Sequence, residues 1–168
     1  MLFEMLSGVY AITDEQLCLG RTHAQIARAA IAGGARIIQI RDKTASDRKF
    51  YQDAMELRQI TREAGVLLFV NDRVDIAAAV KADGVNIGQT DLPAVAARSI
   101  LGKGVLIGVS ADSPDQVARA IEDGADYVGF GPVFPTTTKL DAGPVSGIDT
   151  LRSICKSCSV PVVAIGGI

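Results

Sequence analysis

Residues able to handle a polyanion recur through this sequence, first in Gln39-Ile-Arg-Asp-Lys43. If the strand before them persists that far, its twofold side-chain period sets Gln39, Arg41 and Lys43 on one face. A guanidinium grips phosphate through a fork of N–H donors and an ammonium acts as a point charge, so the pair suits a pyrophosphate-like group. The competing reading is an ion pair with a carboxylate of a neighbouring strand. Asn71-Asp72 and Gly88-Gln-Thr-Asp91 close two successive apolar runs. Adjacent strands about 4.8 Å apart would bring both carboxylates to one rim. There they could share Mg²⁺, an ion held by one or two carboxylates and completed by water and phosphate oxygens. Either aspartate could instead cap the helix that follows it. Ser110 offers a hydroxyl at the same rim, or a cap for a helix beginning near Ser113. Gly129-Phe-Gly-Pro-Val-Phe-Pro-Thr-Thr-Thr-Lys139 stiffens three hydroxyls and a lysine with two prolines and looks like an anion-binding loop, a solvated linker being the alternative. Gly166-Gly167 permits close backbone approach, as at a phosphate.

Such residues need a scaffold that brings strand ends together. Nearly all-apolar runs at 8–14, 35–41, 66–71, 84–88, 104–110, 126–131 and 161–166 read as strands, and amphipathic stretches at 23–32, 46–64, 73–81, 92–101, 113–123 and 147–157 as helices. Apolar strands separated by helices indicate parallel βαβ units covered on both faces. Ala32-Gly-Gly-Ala35, Lys81-Ala-Asp-Gly84 and Glu122-Asp-Gly-Ala125 repeat a helix stop in which glycine supplies the left-handed conformation. With units of about 24 residues, eight would need roughly 200, the lower limit of a closed eightfold barrel. Seven units leave two architectures open, a doubly wound sheet or a barrel lacking its last helix, strand and helix. In both, sites form at the C-terminal ends of strands, where the polar clusters fall.

Composition narrows the partners. The 168 residues are one domain's worth, and 48% hydrophobic residues can bury a substantial core. Seventeen basic residues against nineteen acidic give a net charge of −2, which argues against nucleic acid or an anionic membrane. No apolar run approaches the roughly 20 residues of a bilayer span, and the expectation is a soluble, cytoplasmic protein. Three cysteines fit a reducing compartment, and Cys155-x-x-Cys158 lacks a second pair, so ordinary helix-end residues are expected there. His23, the single histidine, falls at a helix start away from the strand ends and is expected at the surface; no Ser/His/Asp machinery accompanies Ser110.

The chain resembles the thiamine-phosphate synthase family essentially throughout. The resemblance rests on Gln39-x-Arg41-x-Lys43, Val70-Asn-Asp-Arg-Val-Asp75, Asp83-Gly-Val-x-Ile-Gly-Gln-x-Asp-Leu-Pro93, Gly108-Val-Ser110, Gly131-Pro-Val-Phe-Pro-Thr-x-Thr-Lys139 with Gly147, and Ala164-Ile-Gly-Gly-Ile168. It implies an eightfold βα (TIM) barrel. It further implies that Gln39, Arg41, Lys43, Asn71, Ser110 and Lys139 hold hydroxymethylpyrimidine diphosphate, that Asp72 and Asp91 bind Mg²⁺, and that Thr136, Thr138 and Gly167 hold the thiazole phosphate. The family joins these substrates to give thiamine phosphate and pyrophosphate, with loss of CO₂ when the thiazole arrives as its carboxylate. Breaking the bond from the pyrimidine methylene to pyrophosphate asks chiefly for electrostatic help, which suits a site without histidine. In that scheme Arg41, Lys43, Ser110 and Lys139 are the catalytic group.

Two departures stand out. Position 86 is asparagine where the family often has histidine, expected to tune packing only. The family also continues beyond the position of Ile168, through an Ile-Ser pair that cups the thiazole phosphate. The expectation is therefore a single barrel-type domain over residues 1–168, truncated after its seventh strand, with a possible homo-oligomer for stability and weakened thiazole-phosphate binding. A fragment that binds ligand without turnover is the alternative. The related thiazole tautomerase, which uses a histidine near the end of its fifth strand, fits less well, because that segment here reads Gly108-Val-Ser-Ala-Asp112.

Overall fold

The computed structural model describes residues 2–15, 17, 19–138 and 143–168. A short helix α1 (Leu2–Met5) precedes β1 (Val9–Thr13), α2 (His23–Ala32), β2 (Ala35–Ile40), α3 (Asp47–Ala64), β3 (Leu67–Asn71), α4 (Val74–Val80) and β4 (Gly84–Ile87). The alternation continues with α5 (Ala94–Leu101), β5 (Leu106–Ala111), α6 (Pro114–Glu122), β6 (Tyr127–Phe130), α7 (Gly147–Ser157) and β7 (Val162–Ala164). Each strand pairs in parallel with the next, in the order β1-β2-β3-β4-β5-β6-β7. A doubly wound sheet reverses its strand order partway. This one never does, and unreversed winding is that of a βα barrel: seven parallel strands in a nearly closed barrel.

The strand period divides the core in two. One set of side chains, including Ile38, Ile40, Leu68, Val70, Val85, Ile107 and Val128, faces the helices and packs against Phe50, Leu57, Ala77 and Ala97. The alternate set, Ile37, Phe69 and Tyr127 with Tyr10, Leu67, Leu106 and Val163, fills the barrel interior, and Leu6 packs against it. Leu6 follows α1, whose Leu2 also packs against this inner cluster, so the N-terminal segment adds to the interior an element that apolar periodicity did not announce.

Glycine makes room for the large inner rings. A Cβ on Gly84 would lie 2.1 Å from the Phe69 ring, and one on Gly108 would lie 1.9 Å from that of Tyr127. Gly84 is thus a packing glycine within β4, not the helix stop read from the repeat; Lys81, at φ 54°, is the left-handed residue that ends α4. The other two repeats behave as read, with Gly34 at φ 93° and Gly124 at φ 83°.

Candidate active site

The polar residues gather where the strands end. β2 stops at Ile40, so the face proposed for Gln39, Arg41 and Lys43 does not extend to the two cations as strand. The Arg41 N–H still reaches the Thr13 carbonyl at 3.1 Å, and its guanidinium contacts Asp14 Oδ2 at 2.5 Å. Lys43, in the loop beyond, forms an ion pair with Asp72. Both cations are therefore paired as the competing reading had it, each with a carboxylate just past a neighbouring strand. Those partners lie at the rim, where a more highly charged anion could replace them.

Asp72 sits at φ 61°, a left-handed conformation that aspartate tolerates better than most residues, and its N–H donates to the Asn86 carbonyl at 2.8 Å. Neither aspartate is a helix cap. Arg73 occupies the cap position of α4 and Pro93 that of α5, both without a side-chain cap bond. Asp91 instead accepts the Gly88 N–H through Oδ2 at 2.7 Å, and its carboxyl lies against that of Asp72. Burial, and then the neighbouring Asp91 carboxyl, hold the Asp72 carboxyl above the usual carboxylate range, although Lys43 pulls it down. Two facing carboxylates that resist joint ionisation are a donor set that a small hard cation neutralises, so they fit Mg²⁺ chemically.

Inside the mouth, Gln39, Tyr10, Tyr127, Asn86 and Ser110 form one chain of hydrogen bonds. Gln39 Nε2 donates to the Tyr10 hydroxyl at 2.7 Å, which lies 2.9 Å from that of Tyr127. Tyr127 donates to Asn86 Oδ1 at 3.0 Å, and Asn86 Nδ2 to Ser110 Oγ at 2.9 Å. Burial pushes both phenols above the ordinary tyrosine range, so they stay neutral donors. Asn86 accordingly does more than tune packing: it carries this chain from Tyr127 to Ser110. Ser110 is not a cap, since Ser113 caps α6 by accepting the Gln116 N–H. Asn71, opposite Asn86 in the ladder, ends β3 at the same level.

The segment after β6 is pinned by the end of β7. Val133 N–H donates to the Ile165 carbonyl and Phe134 N–H to that of Gly166, both at 2.9 Å. A Cβ on Gly167 would lie 2.6 Å from the Pro135 carbonyl oxygen, so the Gly166-Gly167 pair serves close approach of the chain to its own loop. Thr136 Oγ1 accepts the Thr138 N–H at 3.3 Å. Lys139 lies outside the described residues.

His23 contradicts its expected surface position. It is 1% exposed, with Nδ1 2.8 Å from Thr13 Oγ1, because the first turn of α2 folds against the end of β1. No sequence signal beyond its place at a helix start marked it. Cys155, in the last turns of α7, and Cys158, just after that helix, are free.

The model of the family described as thiamine monophosphate synthase matches residues 9–168. The chain belongs to the thiamine monophosphate synthase family. The thiamine-phosphate synthase of Methanocella arvoryzae is 53% identical over 164 residues, 98% of this chain and 77% of that protein. That of Chloroflexus aurantiacus is 52% identical over 160 residues, 95% of this chain and 74% of the relative. The solved thiamine phosphate pyrophosphorylase of Pyrococcus furiosus superposes with a TM-score of 0.86 at 46% identity, covering 95% of this chain and 74% of that one. A structure from Coccidioides immitis described as a candidate deoxyribose-phosphate aldolase, at 13% identity and a TM-score of 0.68, shares the fold alone. Among the described residues of this thiamine monophosphate synthase family member, no helix is long and apolar enough to cross a membrane.

Proposed function

We propose that the chain couples hydroxymethylpyrimidine diphosphate with thiazole phosphate, or with its carboxylate and loss of CO₂, releasing pyrophosphate and forming thiamine phosphate. The observation that carries this reading is the group Lys43, Asp72 and Asp91, in which cation and carboxylates meet at the mouth of the barrel. The pyrimidine methylene carbon loses its bond to the pyrophosphate oxygen, which keeps the electron pair. The thiazole nitrogen then supplies a pair to that carbon. No side chain need remove a proton, so the protein's task is to hold two substrates in line and stabilise the departing anion. Arg41 and Lys43 would exchange Asp14 and Asp72 for diphosphate oxygens, joined by Lys139. Ser110 would donate to the same substrate and Gln39 and Asn71 would orient the pyrimidine, while Thr136, Thr138 and Gly167 would hold the thiazole phosphate. Asp72 and Asp91 would bind Mg²⁺, which supplies charge neutralisation at the diphosphate.

The same reading makes the chain a cytoplasmic enzyme of small molecules, with no nucleic-acid or membrane partner and a possible homo-oligomeric state. A coupling assay on the 168-residue chain, with thiamine phosphate read by fluorescence after oxidation, tests it. Product that requires Mg²⁺ and falls at least a hundredfold in Asp72→Ala is the expected result. Diphosphate binding by calorimetry without product would overturn it in favour of a binding fragment.

A further inference from the structure

The segment after β1 and the segment after β2 meet at a second polar group, Glu15, His23 and Asp42, none of which enters the coupling scheme. Its proton arrangement follows from hydrogen-bond directions. Thr13 Oγ1 lies 3.3 Å from the Gln39 carbonyl oxygen, a pure acceptor, so the threonine proton points there. Only a lone pair of that hydroxyl then remains for His23 Nδ1 at 2.8 Å, and Nδ1 carries the ring proton. In the neutral imidazole, Nε2 is consequently a bare acceptor. It is fully buried and has no hydrogen-bond partner, although the whole side chain is 2% exposed.

What faces Nε2 is negative. Asp42 Oδ2 lies 3.7 Å away, beyond hydrogen-bond distance. Asp42 is held in that pose because its other oxygen accepts from Thr44 N, Thr44 Oγ1 and Ala45 N at 2.7, 2.9 and 2.9 Å. Glu15 Oε1 accepts the His23 backbone N–H at 3.2 Å. One ligand atom from each of the three residues lies within 4.8 Å of the others. The Lys49 ammonium is near enough to act on both carboxylates but is paired with Asp53 and leaves Nε2 without a partner. A buried lone pair facing Asp42 is therefore repelled unless a further cation joins them. Bonds of about 2.0–2.2 Å to a shared ion leave adjacent ligand atoms roughly 3–4 Å apart, which accommodates the observed 3.7 Å. Metal-bound histidines generally donate their other ring N–H to a fixed acceptor, the role Thr13 fills here, itself anchored on a backbone carbonyl.

We propose that Glu15, His23 and Asp42 bind a divalent transition ion of borderline softness, Zn²⁺ in the first place, clamping the two loops together. An imidazole with carboxylates selects such an ion over Mg²⁺, which separates this site from Asp72 and Asp91. The inference does not depend on the coupling reaction.

Titrating the full chain with Co²⁺, read by its visible ligand-field bands, and displacing it with Zn²⁺ provides the test. One Co²⁺ per chain is expected, with a higher Tm in the loaded protein. His23→Gln and Asp42→Asn should each abolish the bands, and Thr13→Val should weaken affinity 10–100-fold. The asparagine Oδ1 can still accept the three bonds of the 42–45 turn, so Asp42→Asn removes a ligand while keeping the loop. The paired change Asp72→Asn with Asp91→Asn should leave the bands in place. Bands that survive His23→Gln and Asp42→Asn, or that vanish only when Asp72 and Asp91 are changed, would overturn the site. So would failure to bind Co²⁺ and Zn²⁺, with ¹⁵N spectra showing both ring nitrogens of His23 protonated, since the cation would then be a proton.

Discussion

Tyr127 has one hydroxyl proton, and Asn86 Oδ1 receives it, so between the two tyrosines Tyr10 must be the donor. The whole chain from Gln39 to Ser110 therefore runs in a single sense. It leaves Gln39 Oε1 as an acceptor and the Ser110 hydroxyl proton as a donor at the mouth of the barrel. Asp72 shows the opposite economy, a residue whose ionised form is disfavoured where it stands. Its carboxyl is raised by burial and then by Asp91, so the folded state binds its proton more tightly than the unfolded state. That contribution to stability is complete below the unfolded pKa and is lost as pH rises through the folded one. Asp72→Asn mimics the protonated form at every pH. The variant should match or exceed the parent in Tm at pH 7–8 without added metal, and the difference should shrink as pH falls toward 4. Thermal melts across that range check it; a variant less stable at pH 8 than at pH 4, relative to the parent, would show that the Lys43 pair outweighs the Asp91 contact.

Elements were the most legible level, because periodicity is a property of neighbouring residues. The seven runs of apolar residues became the seven strands, and the stretch 23–32 is α2 to the residue. β2 nevertheless ended at Ile40, one residue before Arg41, since the charged tail Arg41-Asp-Lys43 turns into the rim. What a glycine does within an element was not legible, because its reason lies on another strand. Gly84 reads as a helix stop in sequence and Gly108 as one more strand residue, yet in three dimensions both are spaces, for Phe69 and Tyr127. Gly108→Ala should force the Tyr127 ring from its edge-on contact with Phe69, where the centroids are 5.5 Å apart, and with it the hydroxyl from Asn86. The cost should be about 1–3 kcal/mol by urea unfolding, the usual penalty of overpacking. In a Tyr127→Ala background the same alanine should cost much less, because the clash is pairwise. Equal costs in the two backgrounds would place the strain in the backbone of β5.

Over the whole molecule the winding repeats a device that single motifs hide. Asp83, just before β4, accepts the Leu68 N–H of β3 and the Arg58 guanidinium of α3, at 2.8 and 2.6 Å. Two βα units later Asp126, just before β6, accepts the Ile107 N–H of β5 and the Arg98 guanidinium of α5, at 2.7 and 2.5 Å. Each aspartate ties the start of one strand to the strand before it and to the helix that precedes that earlier strand in sequence. The glycine repeats in the sequence marked where these units begin again, but the Arg–Asp ties span 25 and 28 residues and could be recognised only once the strands were adjacent. The candidate site was legible for a different reason: its residues lie at or just beyond the C-terminal ends of strands, so the direction of the chain alone sends them to one end. Stability at the strand starts and chemistry at the strand ends should then be separable. Asp126→Ala removes the acceptor of a backbone N–H and of Arg98, while the Gly102 and Val105 carbonyls still hold that guanidinium. Unfolding should be easier by about 1–3 kcal/mol with an unchanged urea m value. Binding of the pyrimidine diphosphate, measured by calorimetry well below the variant's Tm, should be unaltered. A matching loss of affinity would mean that the two ends of the barrel are mechanically coupled.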